Sequence, residues 1–308
     1  MTKKPLGLVG TTNKPNLRNM PVAEKIHIRP LAEGDIAEAM RLKDAAGWNQ
    51  TEADWRRLLR LSPGGCFAAT VGGKVVATTT TTRYGRALAW VGMVLVDPSF
   101  RRRGIATALV GAALENLEAA CVEAVKLDAT PEGAPVYESL GFEAELHVER
   151  WVAAAGARAP QAVASGDIGP PRLSEEVFEF DRIAFGADRS ELLQILSDEA
   201  CVGPSLRAGA GGRVCGYALA RRGSRATYVG PVVAEEAESA ALILDDVLGR
   251  LGAGQVYVDV NTTFEGATRE LATRGFTKER ELIRMRRGER TSAGTSRFVF
   301  AIAGPEVG

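Results

Sequence analysis

Val94-Leu95-Val96-Asp97-Pro98-Ser99-Phe100-Arg101-Arg102-Arg103-Gly104-Ile105-Ala106-Thr107 is the most informative stretch of this chain. It opens on aliphatic, strand-favouring residues, breaks at Asp-Pro, and passes through three arginines and a glycine into a helical run that continues to about Ala120. The order is strand, loop, helix. A helix start carries unpaired backbone N–H groups and about half a positive charge, and Gly104 lets the backbone come close to a bound oxygen. Such a junction can cradle a pyrophosphate, with Arg101, Arg102 and Arg103 supplying charge that pairs with phosphate. An arginine triplet in a plain surface loop would only face solvent; its place just before a helix is what points to an anion.

On either side the chain alternates short strands and helices. A strand is expected over 26–30 and a helix over 33–46 that stops at Gly47. Thr51-Glu52-Ala53-Asp54 has the hydroxyl and carboxylate of a capping box ahead of a second helix through Leu61. Runs at 66–71 and 74–82 are joined by Gly72-Gly73, the turn chemistry of a hairpin. The five threonines Thr78 to Thr82 read as strand propensity first and as a hydroxyl-lined surface second. Strands at 87–96 and 124–129 flank the arginine loop and its helix. A helical segment ends at Leu140-Gly141-Phe142, and a last strand runs through about Trp151. Residues 1–24 read as a flexible lead-in without a secretory h-region, and 153–172, rich in Ala, Gly and Pro, as a linker.

A second unit follows, and it copies the first. Val91-Gly92 matches Val229-Gly230, Lys126-Leu127-Asp128 matches Tyr257-Val258-Asp259, and Gly141-Phe142 matches Gly275-Phe276. Gly92 to Asp128 spans 36 residues and Gly230 to Asp259 spans 29, and the shortening falls where the first copy has its arginines. There the second copy offers Ala234-Glu235-Glu236-Ala237-Glu238, so an anion site in copy one is lost in copy two. The run 297–303 adds one more expected strand.

Length and composition fit this picture. The 308 residues make about two domains at roughly 100–200 residues each. Thirty-eight basic against 38 acidic residues give no global field for nucleic acid or an anionic membrane, and no apolar run approaches a membrane span. His27 and His147 are the two histidines, and Cys66, Cys121, Cys201 and Cys215 stand apart without a CxxC pair. That pattern argues against a zinc site, a disulfide framework or a histidine triad, and fits reduced thiols in a cytoplasmic protein. A phosphate-loop nucleotide binder is disfavoured because no Gly-x-x-x-x-Gly-Lys-Ser/Thr occurs.

The strand, the Asp97-Pro98 break and the Arg101-x-x-Gly104-x-Ala106 loop, with Tyr137 and Gly141-Phe142 downstream, resemble the GNAT N-acetyltransferases, whose loop reads Arg/Gln-x-x-Gly-x-Gly/Ala. The resemblance covers residues 25–152 well, and 173–308 is similar to a degenerate copy. It implies a mixed α/β sheet in a tandem GNAT (acyl-CoA N-acyltransferase) fold, catalytic in the first unit only, with acetyl-CoA lying between two parallel strands that splay apart. It assigns the cofactor to Met93, Val94, Leu95 and Val96 of the first strand and to Arg101, Arg102, Arg103, Gly104, Ile105, Ala106 and Thr107 of the loop, with Thr130 a weaker contact.

Tyr137 in a short helix reads as packing on its own. Its match to the family tyrosine makes it the general acid, a phenol that is a neutral donor at pH 7; Leu271 stands at the matching place in copy two. A backbone N–H near Leu95 would hold the oxyanion. No general base is singled out, since Asp54 and Glu52 read equally as helix-surface residues. The resemblance puts the acceptor amine against Trp48, Asn49 and Gln50, although Trp48 and Trp55 also read as core anchors. In the second unit Asp188 and Asp259 are weak substrate candidates, Asp188 being also a helix cap. The activity implied is acetyl transfer to a primary amine of a small molecule, in a chain that could pair as a homodimer. An acyl-CoA-binding module without turnover is the alternative.

Overall fold

The computed structural model describes residues 25–154, 173–288 and 296–308. The expected lead-in at 1–24 and nearly all of the expected linker at 153–172 lie outside the described residues. Among them, no helix is long and apolar enough to cross a membrane.

The first half runs β1 His27–Pro30, α1 Ile36–Ala45, α2 Glu52–Leu61, β2 Phe67–Val71, β3 Lys74–Tyr84, β4 Leu88–Val96, α3 Ile105–Ala119, β5 Ala124–Ala129, α4 Ala134–Glu138 and β6 Glu143–Ala153. Local chemistry explains the joints. The Thr51 hydroxyl accepts from the Asp54 N–H, and the Asp54 carboxylate accepts from the Thr51 N–H at 2.7 Å, closing the expected capping box. Gly72 and Gly73 both take positive φ, 57° and 82°, which the tight β2–β3 turn requires.

The second half repeats the order: α5 Glu175–Phe185, α6 Ser190–Asp198, β7 Ser205–Ala208, β8 Val214–Arg222, β9 Thr227–Ala234, α7 Ala237–Arg250, β10 Val256–Asn261, α8 Ala267–Thr273 and β11 Thr277–Gly288. The short β12, Val299–Ala301, follows.

Among the described residues the twelve strands join one sheet in the order β1-β2-β3-β4-β5-β11-β6-β10-β12-β9-β8-β7. The halves therefore exchange strands. The first half's β6 does not return to β5; it pairs antiparallel with β10 and β11, while β11 lies antiparallel to β5. Met285 of β11 is fully buried beside Val125, Leu127 and Phe142, so the exchanged strand supplies core to the other half. The exchange has a matched polar signature. Arg284 of β11 faces Asp128 of β5, and Arg150 of β6 faces Asp259 of β10, each pair buried and joined by two hydrogen bonds.

Helix α3 covers one face of the first half through Val110, Leu114 and Leu117. On the other face α1 and α2 share a core with α5 and α6, built around Trp55, Leu58, Trp90, Phe180 and Leu193. Trp55 is thus a core anchor, and Trp48 is partly buried against the same cluster. The threonine run is an interior strand: all five are buried.

Candidate functional site

Two parallel strands part at the centre of the first half. β4 and β5 are in register at Leu88–Ala124, Ala89–Val125 and Trp90–Lys126, and no pairing continues beyond Trp90. From Val91 to Val96 the β5-facing edge of β4 thus has no strand beside it, while its other edge stays paired with β3 as far as Val96. An extended ligand can add to such an edge as a strand would.

Within that open segment β4 bulges. The register steps from Thr80–Gly92 to Thr78–Leu95, leaving Met93 and Val94 opposite Thr79, and Met93 takes φ 49°. The Thr78 hydroxyl donates to the Met93 carbonyl at 2.9 Å and the Thr79 hydroxyl to the Gly92 carbonyl at 3.5 Å. The threonines therefore hold the bulge carbonyls on the β3 side. A bulge turns backbone groups out of the ladder, the feature an oxyanion-binding N–H near Leu95 requires.

Past β4 the chain turns sharply into α3. The Asp97 carboxylate caps a single turn by accepting from the Ser99 N–H at 3.0 Å and hydroxyl at 2.6 Å, and Arg41 donates to it at 2.7 Å. Hydrogen bonds from Ser99 and Arg41 hold its carboxyl down at about 2. Arg102 and Gly104 then take positive φ, 60° and 75°, and α3 starts at Ile105. The first N–H of α3 to find a helical acceptor in this turn is that of Ala108, bonded to Gly104 O at 3.0 Å. Those of Ile105, Ala106 and Thr107 sit in the first turn, where a helix offers no acceptor. A side chain at Gly104 would meet nothing within 4 Å, so the turn opens onto free space. Arg101 and Arg103 also staple the loop, donating to Val96 O at 3.2 Å and Ser99 O at 3.0 Å. The residues fit a pyrophosphate: a helix start, an exposed arginine triplet and an open glycine.

Tyr137 on α4 sits edge-on to Phe142 with ring centroids 6.1 Å apart. Burial pushes its phenol well above the ordinary value, which keeps it a neutral proton donor at pH 7. Thr130 is a structural cap: its hydroxyl accepts from the Gly133 N–H at 3.2 Å, at the turn into α4.

The acceptor side differs from the expectation in one respect. Asn49 is buried with both ends of its amide bonded to the turn after β8. Its oxygen accepts from the N–H groups of Arg225 and Ala226, and its nitrogen donates to Ala226 O. It joins the two halves, so a substrate role for Asn49 is withdrawn. Gln50 does face a small polar cavity of about 10 Å³, room for about one water, with Asp54, Arg150, Arg221, Tyr228 and Glu306 in its lining.

Neither sequence candidate for a base is free for that work. Asp54 would be pushed up by burial, but Arg57, Arg221 and Thr51 overcome this and hold it low, and Glu52 pairs with Arg56 at 2.9 Å on the surface. The second-half candidates are structural too. Asp188 accepts from the Ser190 N–H at 2.9 Å, and Asp259 is buried against Arg150 and Tyr228.

Sequence reasoning took 297–303 as a strand and missed the path of residues 302–308. This segment follows β12 across the α1–α2 face of β4, where Trp90 Nε1 donates to Pro305 O at 3.1 Å and Tyr84 to Val307 O at 2.6 Å. Its irregular composition carries no periodic signal.

The second half has the same strand pair, β9 and β10, in parallel register at Thr227–Val256 and Tyr228–Tyr257. There β12 enters the gap, antiparallel to both strands. The position matching Met93 is Pro231, the one matching Tyr137 is the buried Leu271, and β9 runs into α7 without an arginine loop. The chain's own strand fills the gap that stays open in the first half.

Comparison with known proteins divides the chain into the same two units. Residues 35–142 match the model of the Acetyltransferase (GNAT) family, and 177–301 match that of an Acetyltransferase (GNAT) domain. YitH of Bacillus subtilis, named as an uncharacterized N-acetyltransferase, is 28% identical over 266 residues, covering 82% of this chain and 88% of that protein. Two solved structures share the fold. A protein from Pyrococcus horikoshii described as a candidate acetyltransferase superposes with a TM-score of 0.77 at 22% identity, over 95% of this chain and 99% of its own. A tandem GNAT protein from the clavulanic acid biosynthesis pathway gives 0.57 at 15% identity, over 87% and 100%.

Proposed function

The chain belongs to the GNAT acetyltransferases as a two-unit protein, and from that premise we propose that it transfers an acetyl group from acetyl-CoA to a primary amine of a small molecule, using the first unit alone. The observation that carries this reading is the contrast between the two strand gaps. One is open, runs into the arginine loop and has Tyr137 beyond it; the other is filled by β12, has no arginine loop and carries Leu271 at the place matching Tyr137.

Bound acetyl-CoA would supply an activated acetyl thioester. Arg101, Arg102 and Arg103, with the first-turn N–H groups of α3, would bind the pyrophosphate, and the free edge of Met93 to Val96 would pair with the pantetheine arm. A bulge N–H near Leu95 would hold the carbonyl oxygen as negative charge develops on it. Tyr137 would give its phenolic proton to the departing sulfur. Direct attack by the amine suits this set of residues, which includes no nucleophilic side chain.

Calorimetric titration with CoA and thiol release from acetyl-CoA across a panel of primary amines test the reading. One CoA per chain and amine-dependent thiol release are expected. Binding without release would instead establish an acyl-CoA-binding module, and two CoA per chain would overturn the one-unit assignment.

A further inference from the structure

Two arginines of the central sheet face each other. Arg280 of β11 stands opposite Arg150 of β6 in register, and alternation along β11 puts it on the face of Leu282, Arg284 and Trp90. Like charges so placed repel each other. Arg150 is satisfied by Asp259, which closes two hydrogen bonds on it. Arg280 has no such partner: among the described residues its Nε is buried without a hydrogen bond and no carboxylate forms an ion pair with it.

Burial and then Arg150 push the Arg280 guanidinium below its ordinary value, against the opposing pull of Asp259 and Glu279. Glu279 sits beside it at the β11 bulge and is exposed. Inside the sheet, two guanidiniums against one carboxylate leave one positive charge over. Arg280 is half-buried, so solvent still reaches it.

Its level along β11 gives that charge a use. β5 pairs with β11 only as far as Ala129–Ile283, and Arg280 lies three residues past that end. Trp90, Lys126 and Arg286 form one rung across β4, β5 and β11. Six residues on from the rung stand Val96 on β4 and Arg280 on β11, with no strand of the described residues between them. Arg280 therefore borders the gap beside the open edge of β4. Two strand spacings, roughly 10 Å, are a distance that an arginine and a small amino acid bridge together. Tyr137 packs on the α3 side of the sheet, so the phenol and the arginine approach the gap from opposite faces.

We propose that Arg280 binds a carboxylate on the acceptor, so that the amine acetylated belongs to an amino acid or a related aminocarboxylate. This rests on the acetyltransferase reading above and adds the substrate class to it. A carboxylate takes two parallel N–H bonds from a guanidinium and cancels the one unpaired charge, which a phosphate dianion would exceed. Held there, the acceptor has its amine turned across the gap toward β4.

The test uses the full chain and acceptors matched but for one carboxylate: L-ornithine with putrescine, L-lysine with cadaverine, and β-alanine with ethylamine. Thiol release from acetyl-CoA should favour the best aminocarboxylate over its partner by about tenfold or more in kcat/KM. Arg280→Met should erase that preference by slowing the aminocarboxylate alone, leaving the plain amine within about threefold and the CoA dissociation constant unchanged. Arg280→Lys, which keeps the charge, should recover part of it. Because the arginine opposes Arg150, Arg280→Met should unfold in urea no earlier than the wild type. Without acetyl-CoA, calorimetry should show the aminocarboxylate binding about tenfold more weakly to Arg280→Met. No preference in the wild type, a preference that survives Arg280→Met, or equal losses with both members of a pair would overturn the assignment while leaving acetyl transfer intact. A wild-type chain that releases no thiol with any amine would overturn the acetyltransferase reading. Calorimetry then decides Arg280 by itself, and equal or absent aminocarboxylate binding in wild type and variant would overturn it too.

Discussion

Asp128 of β5 and Arg284 of β11 stand directly opposite each other in the sheet, joined by hydrogen bonds of 2.9 and 3.0 Å although they belong to different halves of the chain. The arginine also lies over the Trp90 ring, 4.5 Å from its centre. Removing one member of a buried ion pair strands the other, so Arg284→Met should lower stability by about 3–5 kcal/mol. The double change Asp128→Leu with Arg284→Met should recover most of that loss. Urea unfolding of the two variants checks it; equal losses in both would mean that the ionic contact is not what holds the exchanged strand.

The loop before α3 gives a second prediction. Gly104 takes φ 75° with open space beside it, so Gly104→Val brings backbone strain and a side chain into the ligand's approach. CoA affinity should fall about tenfold or more, with a stability loss of about 1 kcal/mol. Calorimetric titration decides, and unchanged affinity would move the pyrophosphate elsewhere.

Tyr137→Phe keeps the ring packing on Phe142 and removes the proton. Turnover should drop about 100-fold or more with the CoA dissociation constant unchanged. Full activity in this variant would end the acid role.

Asp97 supplies a pH signature. Hydrogen bonds from Ser99 and Arg41 lower its carboxyl to about 2, below the ordinary value near 4. The folded protein thus gains stability that is complete above about pH 4 and is lost as pH falls toward 2. Solvent screening keeps the effect to about 1 kcal/mol. Asp97→Asn should flatten the stability profile in that window, measured by urea unfolding at a series of pH values.

What the sequence disclosed was local. Thr51 and Asp54, Gly72 and Gly73, and Arg101 through Gly104 each act within a few residues, so their spacing carries the information. Asn49 looked equally polar and equally placed for substrate, yet its partners lie 176 and 177 residues away, at a distance no pattern encodes. The strand exchange was hidden for the same reason: β6 and β11 have the same alternation whichever neighbour they choose. Arg280 was hidden more deeply, because what marks it is the arginine that faces it from another strand.

The crossed pairing of β6 and β11 bears on how such a chain can evolve. A cut between the halves would leave β5 with a bare hydrogen-bonding margin and a void where Met285 sits, so neither half is a portable module. Recombination that shuffles one half into another protein would release two sticky fragments. The second half thus acts as scaffolding for the first, bound to it by geometry whatever its own chemistry.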